Sequence, residues 1–463
     1  MIDVDPLAPT AETRPCQLAL LEPRDGVELT YAALDRRVDA IAAGLERSGV
    51  DEGDRIVLTT GLSGSTPALV LAVWRVGGVV VPMDPGLDAD RFVERIDRID
   101  PTLIVGQPPA YPDHLPVVRS DEPDGGPAGA RSSGRTPDDV AAILFTSGTT
   151  GAAKPVALTA RNLQTSAIAS ALRLGLSPVD RWLCVLHPHH MGGFAPIVRS
   201  VVYGTSLVVL PFEPPAIADA ITSGDSTVIS VVPTMLRRLL EKDVPLEDCR
   251  AVLVGGDVTP PGLVERSLDR GVPIYVSYGM TEAASQIATA TPAELRSDPR
   301  TVGRPLKWTR VSIQGDPSGQ LEVAGPTVAA GYIRCGNVDS FDGSFETGDR
   351  GIVAENGQVT VMGRADDRIV SGGVTVDPRT VEGAIRDLER VDDVAVIGIE
   401  DPKWGEVVGA LIAPADGHVD PAEHLPSLRP AERPRRIAYV DDLPRTPSGT
   451  VDRRAVRRVL EES

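Results

Sequence analysis

Helical and strand-like periods alternate along most of the chain, and many of the strand-like runs end in glycine or polar residues. After about residue 309 the pattern switches to short alternating strands separated by Gly and Asn turns. These observations predict an α/β fold: a large N-terminal body of helix-covered sheets with a β-rich subdomain, followed by a small mobile α+β C-terminal domain. The body is assigned to 1–363, its β-rich part to about 309–363, the C-terminal domain to 364–463 and a hinge to 364–367. At 463 residues the chain exceeds one ordinary core, so more than one domain is expected.

In chain order, "YAALDRRVDAIAAGLERSGV" sets Leu34, Val38, Ile41 and Leu45 on one face of an amphipathic helix. "DRIVLTTG" follows as a strand, "TPALVLAVWRVGG" as a helix and "VVVPMDP" as a strand buried on both faces. "FVERIDRID" and "PTLIVG" repeat the alternation, the signature of a parallel sheet covered by helices. Residues 119–138 are rich in Gly, Pro, Ser and charge and read as a mobile surface loop. Beyond it "AAILF" is a strand, "ARNLQTSAIASALRLG" a helix, and "RWLCVL", "TSLVVL", "TVISVVP", "CRAVLVGGD" and "PIYVSYG" further strands, with helical runs such as "TMLRRLLE" and "PGLVERSLDRG" between them. Open parallel sheets bind ligands at the carboxyl ends of their strands, so these polar endings point to a site. "RVSIQG", "GQLEVAG", "GSFETGD" and "RGIVAENGQVTVMGR" read as antiparallel strands. The last segment reads as helix "DPRTVEGAIRDLE", strands "DDVAVIGI" and "EVVGALIA", and terminal helix "DRRAVRRVLEE".

A net charge of −19 argues against a nucleic-acid partner, which needs a basic footprint. No apolar run is long enough to span a membrane, and "MIDVDPLAPT" lacks the basic and apolar regions of a signal peptide, so a cytoplasmic protein with no membrane partner is expected. Cys16, Cys184, Cys249 and Cys335 have neither metal-type nor disulfide-type spacing and are expected to be small, buried or neutral residues. The lysines are Lys154, Lys242, Lys307 and Lys403 only. A salt-rich cytoplasm and a GC-rich codon bias each account for that scarcity and for the many acids. Activity and stability across molar salt separate the two, since indifference to salt ends the halophile reading.

In "AAILFTSGTTGAAKP" an apolar strand runs into a loop where Thr146, Ser147, Thr149 and Thr150 are donors and Gly148 and Gly151 let backbone NH groups turn inward, an anion-binding arrangement. A Walker P-loop is excluded by the glycine spacing and by Pro155 after Lys154. A lysine suits a flexible polyphosphate because it is a compact point charge with rotatable donors.

This loop resembles the phosphate-binding signature of the adenylate-forming superfamily, which holds acyl-CoA and aryl-CoA synthetases, nonribosomal adenylation domains and luciferases. "YGMTE", "VGGD", "TGD" and "GRADD" resemble its other signatures in the family's order, across essentially the whole chain. The resemblance implies ATP, Mg²⁺ and coenzyme A as cofactors and a small-molecule carboxylic acid as substrate, converted through an acyl adenylate to a thioester. It implies nucleotide binding by the 146–151 loop, Gly256, Asp257, Tyr278, Gly279, Thr281, Asp349 and Arg364, with Lys154 on pyrophosphate and Glu282 on the metal. It further implies a hinge at Asp366 and coenzyme A contacts at Gly372 and Gly373. "LHPHHMGGFAPIVRS" is similar to the segment that closes the acyl pocket with a histidine, here His190. Arg199, nine residues on, matches the arginine of the o-succinylbenzoate-CoA ligases of menaquinone synthesis, which would meet the substrate's free carboxylate.

The family places a lysine directly after "PSG", where this chain has Thr450. A hydroxyl does not replace a cation in charge neutralisation. Three explanations stay open: Arg445 or Arg453 serves instead, the first half-reaction is slow, or the chain is a nucleotide-binding relative impaired in adenylation. Val370, where many relatives have lysine, is a lesser departure.

Overall fold

The computed structural model describes residues 5–112, 115–118, 134–146, 153–315, 319–386, 388, 391–414, 428–446 and 451–463. Ser147, Gly148, Thr149, Thr150, Gly151 and Thr450, and most of the 119–138 loop, lie outside them. Among the described residues no helix is long and apolar enough to cross a membrane.

Two sheets form the body. The first has nine strands, with Ile274–Met280, Ala251–Val254, Val228–Val231, Arg181–Cys184, Ser206–Val209 and Leu18–Glu22 parallel in that spatial order and antiparallel strands at both edges. The second has eight, with Val140–Phe145, Val79–Pro82, Arg55–Thr59 and Leu103–Gly106 parallel at its centre. Each strand shows both of its faces to apolar layers. Trp182 and Cys184 enter a core between the sheets while Leu183 enters one on the outer face; Ile56 and Leu58 face the inner core and Val57 the outer one. That period-two burial on both sides is why these strands read as unbroken apolar runs. The helix Ser65–Arg75 lies in the inner layer and is buried from Thr66 to Trp74, so it is apolar all round. Leu34, Val38, Ile41 and Leu45 are buried in the same layer, as their spacing predicts.

Several elements depart from the sequence reading. The residues after the 146–154 loop do not enter a helix directly: Pro155–Thr159 returns antiparallel to Val140–Phe145, so the loop closes a hairpin. The hairpin Gly331–Arg334 with Asn337–Ser340 lies within the span assigned to the β-rich part, yet it pairs with Pro155–Thr159 and extends the eight-stranded sheet. "GSFETGD" and "RGIV" are one strand, Ser344–Val353, in the antiparallel order Arg310–Gln314, Gln320–Ala324, Ser344–Val353, Val359–Arg364. A register shift at Arg350/Gly351 lets that strand bend without ending, which is why its glycines resemble a turn. Met191–Tyr203 is a helix despite Gly192, Gly193 and Pro196, because burial between the sheets outweighs poor propensity. Glycine is required at 193, where a Cβ would meet the carbonyls of Leu186 and His187.

The C-terminal sheet joins Val374–Val376, Ile369–Ser371, Gly405–Pro414 and Val391–Asp401, with Arg436–Tyr439 parallel to Gly405–Pro414. Helix Pro378–Arg386 covers one face through Val381 and Ile385, and Arg453–Glu462 the other through Val456 and Leu460.

Buried Asn162 fastens the hairpin strand to distant chain. Its Oδ1 accepts from the Thr159 amide (2.9 Å), its own amide donates to Thr159 Oγ1 (3.1 Å), and Nδ2 donates to the carbonyls of Pro326 (2.9 Å) and Val328 (2.8 Å). Asn162→Ala leaves the buried Val328 carbonyl and the buried Thr159 amide unmatched and frees the Pro326 carbonyl, and should cost roughly 3 kcal/mol of stability in a denaturant titration.

Candidate active site

A cavity of about 1290 Å³ opens at the carboxyl ends of the body's strands. Phe145, Leu186, Val231, Gly255 and Met280 each stand at or just past a strand end and line it. The polar endings seen in the sequence therefore share one space. From the other side it is bounded by Asp349 and Arg364 of the four-stranded sheet and by Asp393 and Arg445 of the C-terminal part.

Of the expected residues, Thr146, Lys154, His190, Arg199, Gly256, Gly279, Thr281, Glu282, Asp349 and Arg364 all line this cavity. The neck of the 146–154 loop is closed by a reciprocal pair, Thr146 N to Lys154 O (3.0 Å) and Lys154 N to Thr146 Oγ1 (3.2 Å). Lys154 Nζ lies 5.0 Å from the centre of the Tyr332 ring, and the Tyr332 hydroxyl donates to Glu282 Oε1 at 2.8 Å. One tyrosine thus touches both the loop lysine and the expected metal carboxylate. Nothing in "AAGYIRC" announces Tyr332; it reaches the site only because its strand pairs with Pro155–Thr159. Among the described residues no group of three or more His, Cys, Asp or Glu side chains is arranged to hold a metal. The fitting arrangement at Glu282 is one carboxylate completed by substrate oxygens, which is how magnesium is commonly held.

Asp349 Oδ2 accepts from the Tyr278 hydroxyl at 2.7 Å, and its Oδ1 lies 3.8 Å from Arg364 Nη1. Burial raises the Asp349 carboxyl, while Tyr278 and Arg364 act against that shift. Tyr278 itself does not line the cavity, although neighbouring Gly279 does. Glycine is needed at 279, where a Cβ would run into the Ser285 carbonyl. Asp257 is also off the cavity wall. Its Oδ2 faces Arg445 Nη1 at 3.6 Å, and Arg445 Nη2 meets Asp393 Oδ2 at 2.5 Å. Of the two cations weighed against Thr450, Arg445 lines the cavity. Arg453 does not: Asp367 (3.3 Å), Glu382 (3.8 Å) and the Val396 carbonyl (3.0 Å) engage it behind the sheet. Gly372 and Gly373, with φ of +58° and +79°, make the two-residue turn between Ile369–Ser371 and Val374–Val376 and do not line the cavity; Gly372 packs beside Trp404. Asp366 is in an exposed turn between the four-stranded and C-terminal sheets, and Val370 is half exposed.

Arg199, also on the cavity wall, is 2% exposed, lies 5.0 Å over the Trp182 ring and donates through Nη2 to Ser285 Oγ (3.1 Å) and Gln286 Oε1 (2.8 Å). Among the described residues no carboxylate pairs with it, and Nε has no acceptor. Burial lowers its pKa. A buried guanidinium held only by neutral groups favours an anion brought from outside. Ser285, Gln286 and Trp182 were not anticipated; they belong to strands whose apolar periodicity hides a polar contact.

His190 caps the helix Met191–Tyr203, and its Nε2 is buried without a partner. Its ring lies 4.3 Å from that of His189, which stacks on His187 at 5.3 Å. Burial pushes His190 down to about 4, opposed by Asp84 and reinforced by His187; burial also lowers His189. A histidine held neutral in the folded chain leaves stability intact above its unfolded value of 6.5, and the loss grows as pH falls toward the folded value. Urea titrations should accordingly show the wild type losing stability relative to His190→Asn as pH drops from about 6.5 to 4, with a constant difference above that range.

Residues 7–333 match the family of AMP-binding enzymes and residues 380–450 match the AMP-binding enzyme C-terminal domain. The chain is 29% identical over 455 residues to a 2-succinylbenzoate–CoA ligase of Bacillus cytotoxicus, with 94% of each sequence covered. It is similar to the solved o-succinylbenzoate CoA synthetase of Bacillus subtilis in complex with its acyl-adenylate intermediate: TM-score 0.89, 28% identity, 98% of each chain covered. The same synthetase with ATP and magnesium gives TM-score 0.88 at 27% identity over 99% of each chain. The chain belongs to the AMP-binding enzyme family.

Proposed function

We propose that this chain joins 2-succinylbenzoate to coenzyme A in menaquinone biosynthesis, using ATP and Mg²⁺ and passing through an acyl adenylate. The observation that carries the reading is one cavity lined both by Lys154 and Glu282, which Tyr332 links, and by an acid-free, buried Arg199. The similarity to the Bacillus ligase and to the synthetase bound to its adenylate supports the same chemistry. We locate the enzyme in the cytoplasm, where ATP and coenzyme A are at hand.

In the first half-reaction an oxygen of the substrate carboxylate attacks the α-phosphorus, the bond to the β-phosphate bridge breaks, and pyrophosphate leaves. Rate comes from holding the reactants in line and matching charge on the phosphates. Lys154 and the 146–151 loop would bind the departing pyrophosphate, and Thr281 with Glu282 would hold magnesium, which when bound withdraws charge from the phosphate oxygens. Gly256 and Gly279 would flank the adenine from the cavity wall with Asp257 and Tyr278 behind them, and Asp349, held by the Tyr278 hydroxyl, would take the ribose hydroxyls with Arg364. His190, neutral at pH 7, would close the acyl pocket without competing for the carboxylate. Arg199 would pair with the carboxylate that stays free. In the second half-reaction the coenzyme A sulfur attacks the acyl carbon, AMP leaves, and the thiol proton is released. We assign 1–363 to the body and 364–463 to a C-terminal domain turning about Asp366, which would bring Gly372 and Gly373 to the pantetheine path. Arg445 is our assignment for the cation that relatives supply at position 450.

Pyrophosphate exchange with a panel of acids, run beside thioester formation, tests the reading. Arg199→Leu should lose roughly 100-fold in kcat/KM with 2-succinylbenzoate and only a few-fold with benzoate-like monoacids. Equal losses would remove the substrate assignment and leave another acyl- or aryl-CoA synthetase. Arg445→Met should depress exchange at least about tenfold while thioester formation from preformed acyl adenylate persists. A wild type that binds ATP but exchanges no pyrophosphate with any acid would favour the impaired relative that Thr450 suggests.

A further inference from the structure

We infer that Tyr332 is a positioning residue for ATP binding, its hydroxyl aligning Glu282 for magnesium and its ring seating Lys154 for the phosphates. The inference rests on the proposed use of ATP, but not on which acid is activated.

Tyr332 is held from several sides before any ligand arrives. Gly331 and Tyr332 pair with Ala157 and Val156 of the strand that follows Lys154, so the ring keeps a fixed register to the loop lysine. The Ala329 amide donates to the Glu282 carbonyl (2.8 Å), and the Ala330 amide to the Ala157 carbonyl (2.9 Å). One short stretch thereby ties Glu282's backbone to the hairpin strand. The ring is wedged edge-on against Phe341 at 4.8 Å and Phe345 at 6.3 Å, which fixes its plane. From that position the hydroxyl donates to Glu282 Oε1 at 2.8 Å. Among the described residues Oε2 accepts no hydrogen bond, so one oxygen is tethered and the other left for a cation. Groups that orient a metal-binding side chain commonly influence affinity nearly as much as the ligand itself.

The lysine half follows the same logic. Lys154 Nζ, 5.0 Å from the ring centre, is steadied by the negative face of a tyrosine rather than by a carboxylate. No ion pair to Lys154 occurs among the described residues, so its charge stays available to phosphate. A carboxylate partner would have to be displaced when ATP enters; a ring does not.

Titration of ATP into the full chain by calorimetry, with no acid or coenzyme A, at a series of free Mg²⁺ concentrations and in EDTA, tests this. Tyr332→Phe keeps the ring and removes the hydroxyl. It should match the wild type in EDTA and require roughly tenfold more free Mg²⁺ to reach half of the magnesium-dependent gain in affinity. Tyr332→Leu removes both and should also weaken ATP severalfold in EDTA. A Tyr332→Phe magnesium midpoint equal to the wild type overturns the inference, as does an equal loss with and without magnesium, which marks a packing defect. Wild-type protein that binds no ATP sinks both the inference and the proposed function. Wild-type protein that binds ATP with the magnesium response above but forms no acyl adenylate sinks the proposed function alone.

Discussion

The contact on which the site depends is made between two pieces of chain far apart in sequence: the Tyr332 hydroxyl on Glu282 and the Lys154 ammonium over the same ring. Lys154 leads into a strand of the eight-stranded sheet, whereas Glu282 follows the Ile274–Met280 strand of the nine-stranded one. Without a bridge, the distance between the Lys154 ammonium and the Glu282 carboxylate would follow the packing of two sheets. Tyr332 removes that freedom, because its strand is hydrogen-bonded to one sheet and its side chain to the other's end. Asn162 reinforces the bridge by holding the carbonyls of Pro326 and Val328, just upstream.

Two cations of the cavity differ in their setting. Lys154 is exposed and rests on an aromatic face; Arg199 is enclosed, with serine, glutamine and tryptophan for neighbours. An enclosed guanidinium without a counter-ion is costly in the empty protein, and that cost is recovered only by a ligand carrying its own negative charge. On the proposed substrate, selectivity for a dicarboxylate over a monoacid would follow from desolvation and not from cavity shape alone. His190, neutral by burial, adds no positive charge to the cavity wall.

Much of this was legible in the sequence. The apolar strand runs located both sheets, since strands buried on two faces need no alternation to be seen. The Gly-rich and polar strand ends located the cavity, and Thr146, Lys154, Glu282, Asp349 and Arg199 all reached it. What the sequence hid has physical reasons. Met191–Tyr203 was assigned no element, since its glycines and proline are helix-poor and its stability comes from packing between the sheets. Pairing Gly331–Arg334 with Pro155–Thr159 is a long-range choice that local periodicity does not encode, and Tyr332 was lost with it. Asp257 was read as a nucleotide contact; its distant partner Arg445 could not be inferred from "VGGD". Gly372 and Gly373 were expected to contact coenzyme A; they form a hairpin turn that does not line the cavity.

The bridge from Asp257 through Arg445 to Asp393 joins the end of a strand of the nine-stranded sheet to the C-terminal sheet, with Arg445 and Asp393 on the cavity wall. Any swing of the latter about the exposed turn at Asp366 must part Arg445 from Asp257, and the acid left behind then faces whatever enters next. Coenzyme A is itself a polyanion, so the same carboxylate that secures the closed arrangement would repel the incoming thiol donor once uncovered. In a protein this rich in acids, dissolved cations that cloak the bared carboxylate would set how readily the second substrate is admitted.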